Sequence, residues 1–520
     1  MPVRNILFIM ADQLRADCWG AGIGVPGAKI ETPHLEALAR RGTRFDRAYC
    51  PAPICGPSRM GFYTGLYPST HGATVNQAPL PLGTVTLGDR MRKLGLRTAL
   101  AGKTHMKADR EGMARMGLSD LSDQGVLAAE CGFEPFARDD GLHPLDKPPN
   151  KGYNAYLRGK GYDGDNPWHD HANSALGPDG EILSGWYLRH ADRPARVAPE
   201  DSETAWTTDR AMAFIDEQGD APWCLHLSYI KPHWPYIAPK PYCGLFGPDS
   251  VWPAAPTAAD PHPVYGAFLN HTESVGFRRD GARERVIPAY LGLIRELDDH
   301  IGRLTTFLEE RGRLDDTMIA FVSDHGDYLG DYGLGEKQLF HDVSARIPFF
   351  VVHPDLPGGR VSQAPVEGID LVPTFLDALG GDPDDIQMLD GRPLTPFLRG
   401  EAPPAWRAAA CCELDYATRQ ARVALGVAPK RARGWMLRGE RWKYVHWLDL
   451  PPQLYDMIED PRELRDLGRD PAHAATVRRM RDLLFDQFAD RLTRTSFTAA
   501  EVEAETADYT FGGRIKMGVW

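Results

Sequence analysis

The chain is 520 residues long, with 42% hydrophobic and 25% charged residues and a formal net charge of −12 at neutral pH. That length can bury a large core and more than one domain, and the balance is that of an ordinary soluble globular protein. The acidic charge argues against a nucleic-acid surface or an anionic membrane as partner, and basic runs such as Lys430-Arg431-Ala432-Arg433 read as a solvated face.

From the N-terminus, the apolar run Ile6-Leu7-Phe8-Ile9-Met10 predicts a buried strand from Asn5 to Met10. It is too short for a signal-peptide core, and no stretch approaches the ~20 apolar residues of a membrane span, so a cytoplasmic protein without a membrane partner is expected. A helix is predicted from Pro33 to Arg41. The run Cys55-Gly56-Pro57-Ser58-Arg59 then opens a helix from Pro57 to Leu66. Proline is favoured just inside a helix start because its missing N–H would be unpaired there anyway. A thiol at that position feels the positive helix end and the Arg59 guanidinium.

Further along, a helix from Thr86 to Leu94 precedes a strand from Thr98 to Ala101. Residues 106 to 201 are rich in Gly, Asp, Pro and Trp with little periodicity. Such an insertion is expected to cover an active site or mediate assembly, as is a second one over residues 240 to 279. A helix from Ala205 to Glu217, a strand from Trp223 to Tyr229, a helix from Tyr290 to Glu310 and strands at Thr317 to Val322 and Phe349 to Val352 complete an alternating pattern. The segment from Ile369 to Leu379 reads as another core-packing helix. Alternation of short apolar runs with amphipathic stretches predicts parallel βαβ units.

Composition shifts near Pro403-Pro404, which divides the chain into 1–400 and a smaller 401–520. In the latter, residues 434 to 445 read as strand, glycine turn and strand, followed by Leu454-Tyr455-Asp456 and a helix from Ala472 to Asp490. The tail carrying Tyr509, Phe511 and Trp520 is too aromatic for a disordered end and is expected to dock. The eight cysteines form neither a zinc ribbon nor a disulfide framework. Cys411-Cys412 reads as two core thiols, and Cys50 as a plain thiol in a reducing compartment.

Ligands of an open parallel sheet bind beyond the carboxyl ends of its strands. Asp12 follows the first predicted strand, Lys103 and His105 the second, His233 the third, and Asp324 with His325 the fourth. Acids, imidazoles and an ammonium therefore gather on one sheet edge, which is a site.

The Cys55-to-Arg59 run, followed by Thr64-Gly65-Leu66-Tyr67-Pro68-Ser69-Thr70-His71-Gly72, resembles the signature of the sulfatases of the alkaline phosphatase superfamily. The resemblance implies an α/β fold: a large mixed, mostly parallel sheet flanked by helices, with a smaller C-terminal α+β domain. It implies that a formylglycine-generating maturation enzyme oxidises Cys55 to formylglycine, whose hydrated aldehyde is the nucleophile. Asp12, Asp324 and His325, with one oxygen of the modified Cys55, would hold one divalent cation, and carboxylates with an imidazole suit such an ion. Many sulfatases carry an acid pair on the first strand, Asp-Asn on the fourth, and calcium. Asp12-Gln13 and Asp324-His325 depart from that pattern toward the phosphonate monoester hydrolase and phosphodiesterase branch, and nitrogen ligation favours manganese over calcium. Gln13 is expected to hydrogen-bond rather than coordinate.

Arg59 and Lys103 would hold charge at the nucleophile and the substrate oxygens. Lys337 and Asn76 match positions at which relatives contact the substrate anion. In Gly102-Lys103-Thr104-His105, a motif of true sulfatases, His105 would take a proton from the second hydroxyl of the hydrate, expelling the anion. His233 would be the general acid at the leaving group, and Asp324 would draw the proton from the attacking hydroxyl. His71, His226 and His341 read as packing residues. Trp168, Trp186 and Trp234 read either as an aromatic wall or as structural.

The expected activity is hydrolysis of a small anionic ester, a sulfate ester of the arylsulfatase type, with promiscuity toward phosphate diesters and phosphonate monoesters. The alternatives are a phosphonate monoester hydrolase or phosphodiesterase, and a non-catalytic binder of sulfated ligands if Cys55 stays a thiol. A two-metal phosphomonoesterase would need a Ser or Thr nucleophile and a second set of ligands, which the sequence does not display. Similarity to the phosphonate hydrolase branch and the aromatic tail point to a homotetramer.

Overall fold

A computed structural model describes residues 3–20, 30–119, 121–143, 152–491 and 498–507; the aromatic tail lies outside them. The large sheet contains β1 (Asn5–Asp12), β2 (Thr43–Phe45), β3 (Arg97–Gly102), β4 (Glu134–Arg138), β5 (Trp223–Pro232), β6 (Thr317–Ser323), β7 (Phe349–Val352) and β8 (Arg360–Ser362). Their order across the sheet is β8-β2-β7-β6-β1-β5-β3-β4, and only β7 runs against its neighbours.

Side-chain alternation along the strands builds a core on each face. Ile6, Phe8 and Met10 of β1 join Met318, Ala320 and Val322 of β6 in one core, whereas Leu7, Ile9 and Ala11 join Ile319 and Phe321 in the other. The first core is covered by α2 (Cys55–Thr64) and α6 (Leu371–Ala378). The second is covered by α1 (Pro33–Arg40), α4 (Glu203–Gln218) and the long α5 (Ala282–Glu310); α3 (Leu87–Lys93) packs in the first.

Two expectations are corrected. α5 begins at Ala282 rather than Tyr290 and runs through Pro288. Proline argues for a boundary, but buried Val286, Ile287 and Ala289 anchor the extra turns in the core. The stretch from 106 to 201 is also less irregular than expected: it holds edge strand β4, whose side chains are mostly half-buried, so no apolar run announces it.

The C-terminal part is an antiparallel sheet of β9 (Ala410–Asp415), β10 (Arg433–Arg438), β11 (Trp442–Trp447) and β12 (Gln453–Asp456), with α7 (Ala474–Ala489). Alternation acts here too: Cys412, Met436 and Val445 face the first core, while Cys411, Leu437 and Tyr444 form a third core with Met480 and Leu484 of α7. Adjacent Cys411 and Cys412 therefore point to opposite faces, as core thiols. Cys50 and Cys412 are free, with sulfurs 3.9 Å apart across the junction. Among the described residues no helix is long and apolar enough to cross a membrane.

Candidate active site

Strand ends deliver the site. β1 ends on Asp12, where its register against β5 slips between Ala11 and Asp12. β3 runs into Lys103 and His105, β5 into His233, and β6 into Asp324 and His325. Cys55 is the first residue of α2, after Ile54 in extended conformation. The helix start is stitched down on both sides: Gly56 N donates to Asn76 Oδ1 (2.9 Å), and Ser58 Oγ donates to the Asp324 carbonyl (2.6 Å). A Cβ on Gly56 would stand 2.9 Å from that Asn76 oxygen, so the close approach needs glycine. Positive φ angles at Gln13 (66°), His105 (53°) and Glu336 (55°) flank the site, an uncommon conformation for such residues.

Asp12, Cys55, Asp324 and His325 are buried, and one ligating atom from each lies within 4.8 Å of all the others. His325 Nε2 is 3.1 Å from Cys55 Sγ, and Asp12 Oδ1 is 4.0 Å from that sulfur and 3.9 Å from the imidazole nitrogen. Asp324 is fixed by three donors: the main-chain N–H groups of Gln13 and His325, each at 3.0 Å, and Arg59 Nε at 2.8 Å.

Arg59 also reaches Asp12 Oδ2 (3.1 Å), the Lys103 carbonyl and Ser228 Oγ (both 2.8 Å). Its donors brace the two carboxylates, and its guanidinium charge is also felt at Cys55, where it was expected. Lys103 Nζ pairs with Asp12 Oδ2. On the other side, Lys337 Nζ donates to His233 Nε2 (2.9 Å) and to Gln13 Oε1 (2.6 Å). The Gln13 amide and the Tyr236 hydroxyl both donate to Asp327 Oδ2, the latter at 2.6 Å. Gln13 thus holds Lys337, as its expected hydrogen-bonding role requires. His226 and His341 sit among aromatic rings, and His71 accepts from Ala73 N, all in packing roles.

Burial opposes ionisation of Cys55, but Lys337, Lys103 and His325 hold its thiol well below the ordinary range, with a hydrogen bond from His105. Burial and Cys55 push Asp12 up, yet Lys103, His233 and Arg59 bring its carboxyl below the usual range. Burial and Lys337 hold His233 down at about 3, so it is neutral, with its Nε2 accepting the Lys337 proton. Against burial, Asp324 and Cys55 push His325 up to about 9. That imidazolium marks a place where converging anions call for positive charge, which is what a bound cation would provide. The donor set fits one: Nδ1 of His325 bonds the Gly326 carbonyl at 2.9 Å, which turns Nε2 into the cluster beside two carboxylates.

Several residues were missed by sequence reasoning. Asp327 stands three places after Asp324 and could have been noticed; Tyr236 and Ser228 carried no signal. Lys231 is buried, and its Nζ donates to the main-chain carbonyls of Pro235 (3.0 Å) and His233 (3.5 Å), bracing the His233 loop. A second set of possible ligands, not displayed by the sequence, also exists: Asp139, His143 and Glu203 bring ligating atoms within 4.8 Å. There the Lys231 ammonium, 4.0 Å from Glu203, already supplies positive charge.

The sulfatase family profile matches residues 4–381, and that of the N-sulphoglucosamine sulphohydrolase C-terminal region matches residues 330–490. The chain is 32% identical to the multifunctional alkaline phosphatase superfamily protein PehA of Trinickia caryophylli, over 92% of this chain and 94% of that protein. It is 29% identical to a choline-sulfatase of Rhizobium meliloti, over 92% and 86% of the two chains. Among solved structures, the phosphonate monoester hydrolase of Silicibacter pomeroyi superposes with a TM-score of 0.84 at 31% identity, covering 95% of this chain and 98% of that one. With a matching profile over most of its length and the expected sheet, helices and C-terminal sheet, the chain belongs to the sulfatase family.

Proposed function

We propose that the chain is a formylglycine-dependent hydrolase of sulfate esters, arylsulfatase-like, with phosphate diesters and phosphonate monoesters as further substrates. One observation carries the reading: Cys55 Sγ lies 3.1 Å from His325 Nε2 inside the Asp12–Asp324–His325 cluster. That sulfur occupies the position an oxygen of formylglycine would take. A divalent cation at Asp12, Asp324, His325 and residue 55, manganese in preference to calcium, would supply positive charge against the attacking oxygen. A hydrated aldehyde supplies one hydroxyl for attack and a second whose deprotonation expels the anion.

The chain's own groups divide the remaining work. Asp324, held by Arg59 and two main-chain N–H groups, takes the proton of the attacking hydroxyl. Lys103, Lys337 and Asn76 surround the substrate oxygens. The acid proton at the leaving group rests on Lys337 Nζ and is shared with His233 Nε2. His105 hydrogen-bonds residue 55 and takes the second proton. Maturation by a formylglycine-generating enzyme, a homotetramer and a cytoplasmic location belong to the same proposal.

A phosphonate monoester hydrolase or phosphodiesterase is the second reading, favoured by His325 and Gln13 in place of the oxygen ligands of many sulfatases. Turnover of nitrophenyl sulfate, a phosphonate monoester and a phosphodiester ranks the two. Intact mass should be ~18 Da below the thiol form, with one metal per chain; an unmodified thiol without turnover would leave a binding protein.

A further inference from the structure

We propose that the cavity walled by Trp186 and Trp234 is the leaving-group subsite and that it takes an uncharged aromatic alcohol or phenol. This rests on the ester-hydrolysis reading above. The cavity measures about 600 Å³, within the range of small-molecule sites, and aromatic side chains dominate its wall: Trp186, Tyr187, Trp234, Tyr236 and Phe277.

Its position follows from His233. One edge of that imidazole meets Cys55 and Lys337, the latter at 2.9 Å. Its ring lies against Trp234, centroids 4.8 Å apart and planes 30° apart. Glu336, on the cavity wall, immediately precedes Lys337. An ester placed for attack at residue 55 has its leaving oxygen at the Lys337–His233 pair. The group carried by that oxygen then continues toward Trp234. When the bond from sulfur or phosphorus to that oxygen breaks, the oxygen takes the proton held between Lys337 and His233, and the neutral alcohol is left in the cavity.

The wall is rigid. Trp186 packs at a tilt of 60° against Trp234, centroids 5.3 Å apart, and rests on Trp168, 5.8 Å away and only 1% exposed. Of the three tryptophans considered from sequence, Trp168 is therefore the backing and the other two form the wall. Charge selects the ligand class. Burial pushes Glu336 up to about 7, so it is only partly ionised, and with Glu273 it faces Arg189 and Arg279 without an excess of negative charge. A cationic leaving group such as choline, though attracted to ring faces, meets two arginines here. A neutral ring gains stacking and burial without that opposition.

The test compares wild type with Trp186→Ala and Trp186→Phe, a position outside the reacting groups. Their kcat/KM is measured on an aryl ester, a linear alkyl ester and the choline ester of whichever anion the enzyme cleaves. Trp186→Ala should lose about tenfold on the aryl ester, mainly through KM, with alkyl and choline esters changed less than about threefold and Trp186→Phe restored. Equal losses on all three, or a loss confined to the choline ester, overturn the proposal. Saturation-transfer NMR with phenol reads the cavity independently of turnover. Binding to wild type that is lost in Trp186→Ala supports the subsite, and no binding overturns it. Failure of the underlying reading shows separately, as a thiol at residue 55 and no cleavage of any ester.

Discussion

Two buried ionic networks in this molecule use the same residue types to different ends. At the junction between the large sheet and the C-terminal sheet, Lys443 is fully buried and donates to the Phe340 carbonyl (3.0 Å), Glu463 (2.7 Å) and Asp342. Arg407 is likewise met by Asp370 and Glu367. The acceptors there are shared with neutral donors, Asp342 with the Tyr49 hydroxyl and Glu367 with the Tyr67 hydroxyl and Cys411 N, so each charge is answered locally. At the strand ends, Lys103, Lys337 and His325 all bear on Cys55, and Asp12 turns one oxygen toward it at 4.0 Å. Charge matched locally joins two parts of a chain, whereas charge converging on one atom prepares that atom to react.

Removing the point of convergence should have the largest effect. Cys55→Ala is expected to lower kcat about 10⁵-fold or more while the melting temperature moves by no more than about 3 °C. Comparable turnover in that variant would refute the assigned nucleophile. Lys103→Ala should cost about 10²- to 10³-fold in kcat with little loss of stability. The opposite pattern is expected at the junction: Lys443→Met takes the ammonium from buried Glu463, leaves Asp342 with Arg346, and should cost about 3–5 kcal/mol in denaturant unfolding. Its turnover per folded molecule should match wild type; a hundredfold drop there would erase the distinction between the networks.

The smallest effect concerns the charges around Lys231, which stand between the two types. Burial pushes Glu296 up to about 7, above the 4.5 of an unfolded glutamate. The folded state therefore favours the protonated carboxyl, and stability falls as pH rises from 4.5 through 7, with the full penalty above. Glu296→Gln mimics the protonated form and should gain up to about 3 kcal/mol over wild type across that window. Unfolding curves at several pH values would show it, and a difference independent of pH would exclude the ionisation of Glu296 as the cause.

The residues that gather around Cys55 were legible from their places in the chain: Asp12 at the end of β1, Asp324 and His325 just after β6, and Cys55 itself at the head of a helix. Strand β4 was not legible, since an edge strand with half-buried side chains lacks that run. The start of α5 was obscured by Pro288, a local signal overridden by packing.

Residue type, periodicity and order along the chain were enough to identify the sheet, the helices beside it and the reactive end of the strands. Which donor meets which acceptor was decided only by folding. Gln13 and Lys337 are 324 residues apart, and Arg59 and Asp324 are 265 apart. Such pairings depend on where strands and loops come to rest rather than on neighbours in the chain. For that reason only the fold shows Arg59 bracing two carboxylates, Gln13 holding Lys337, and Trp234 lying against His233.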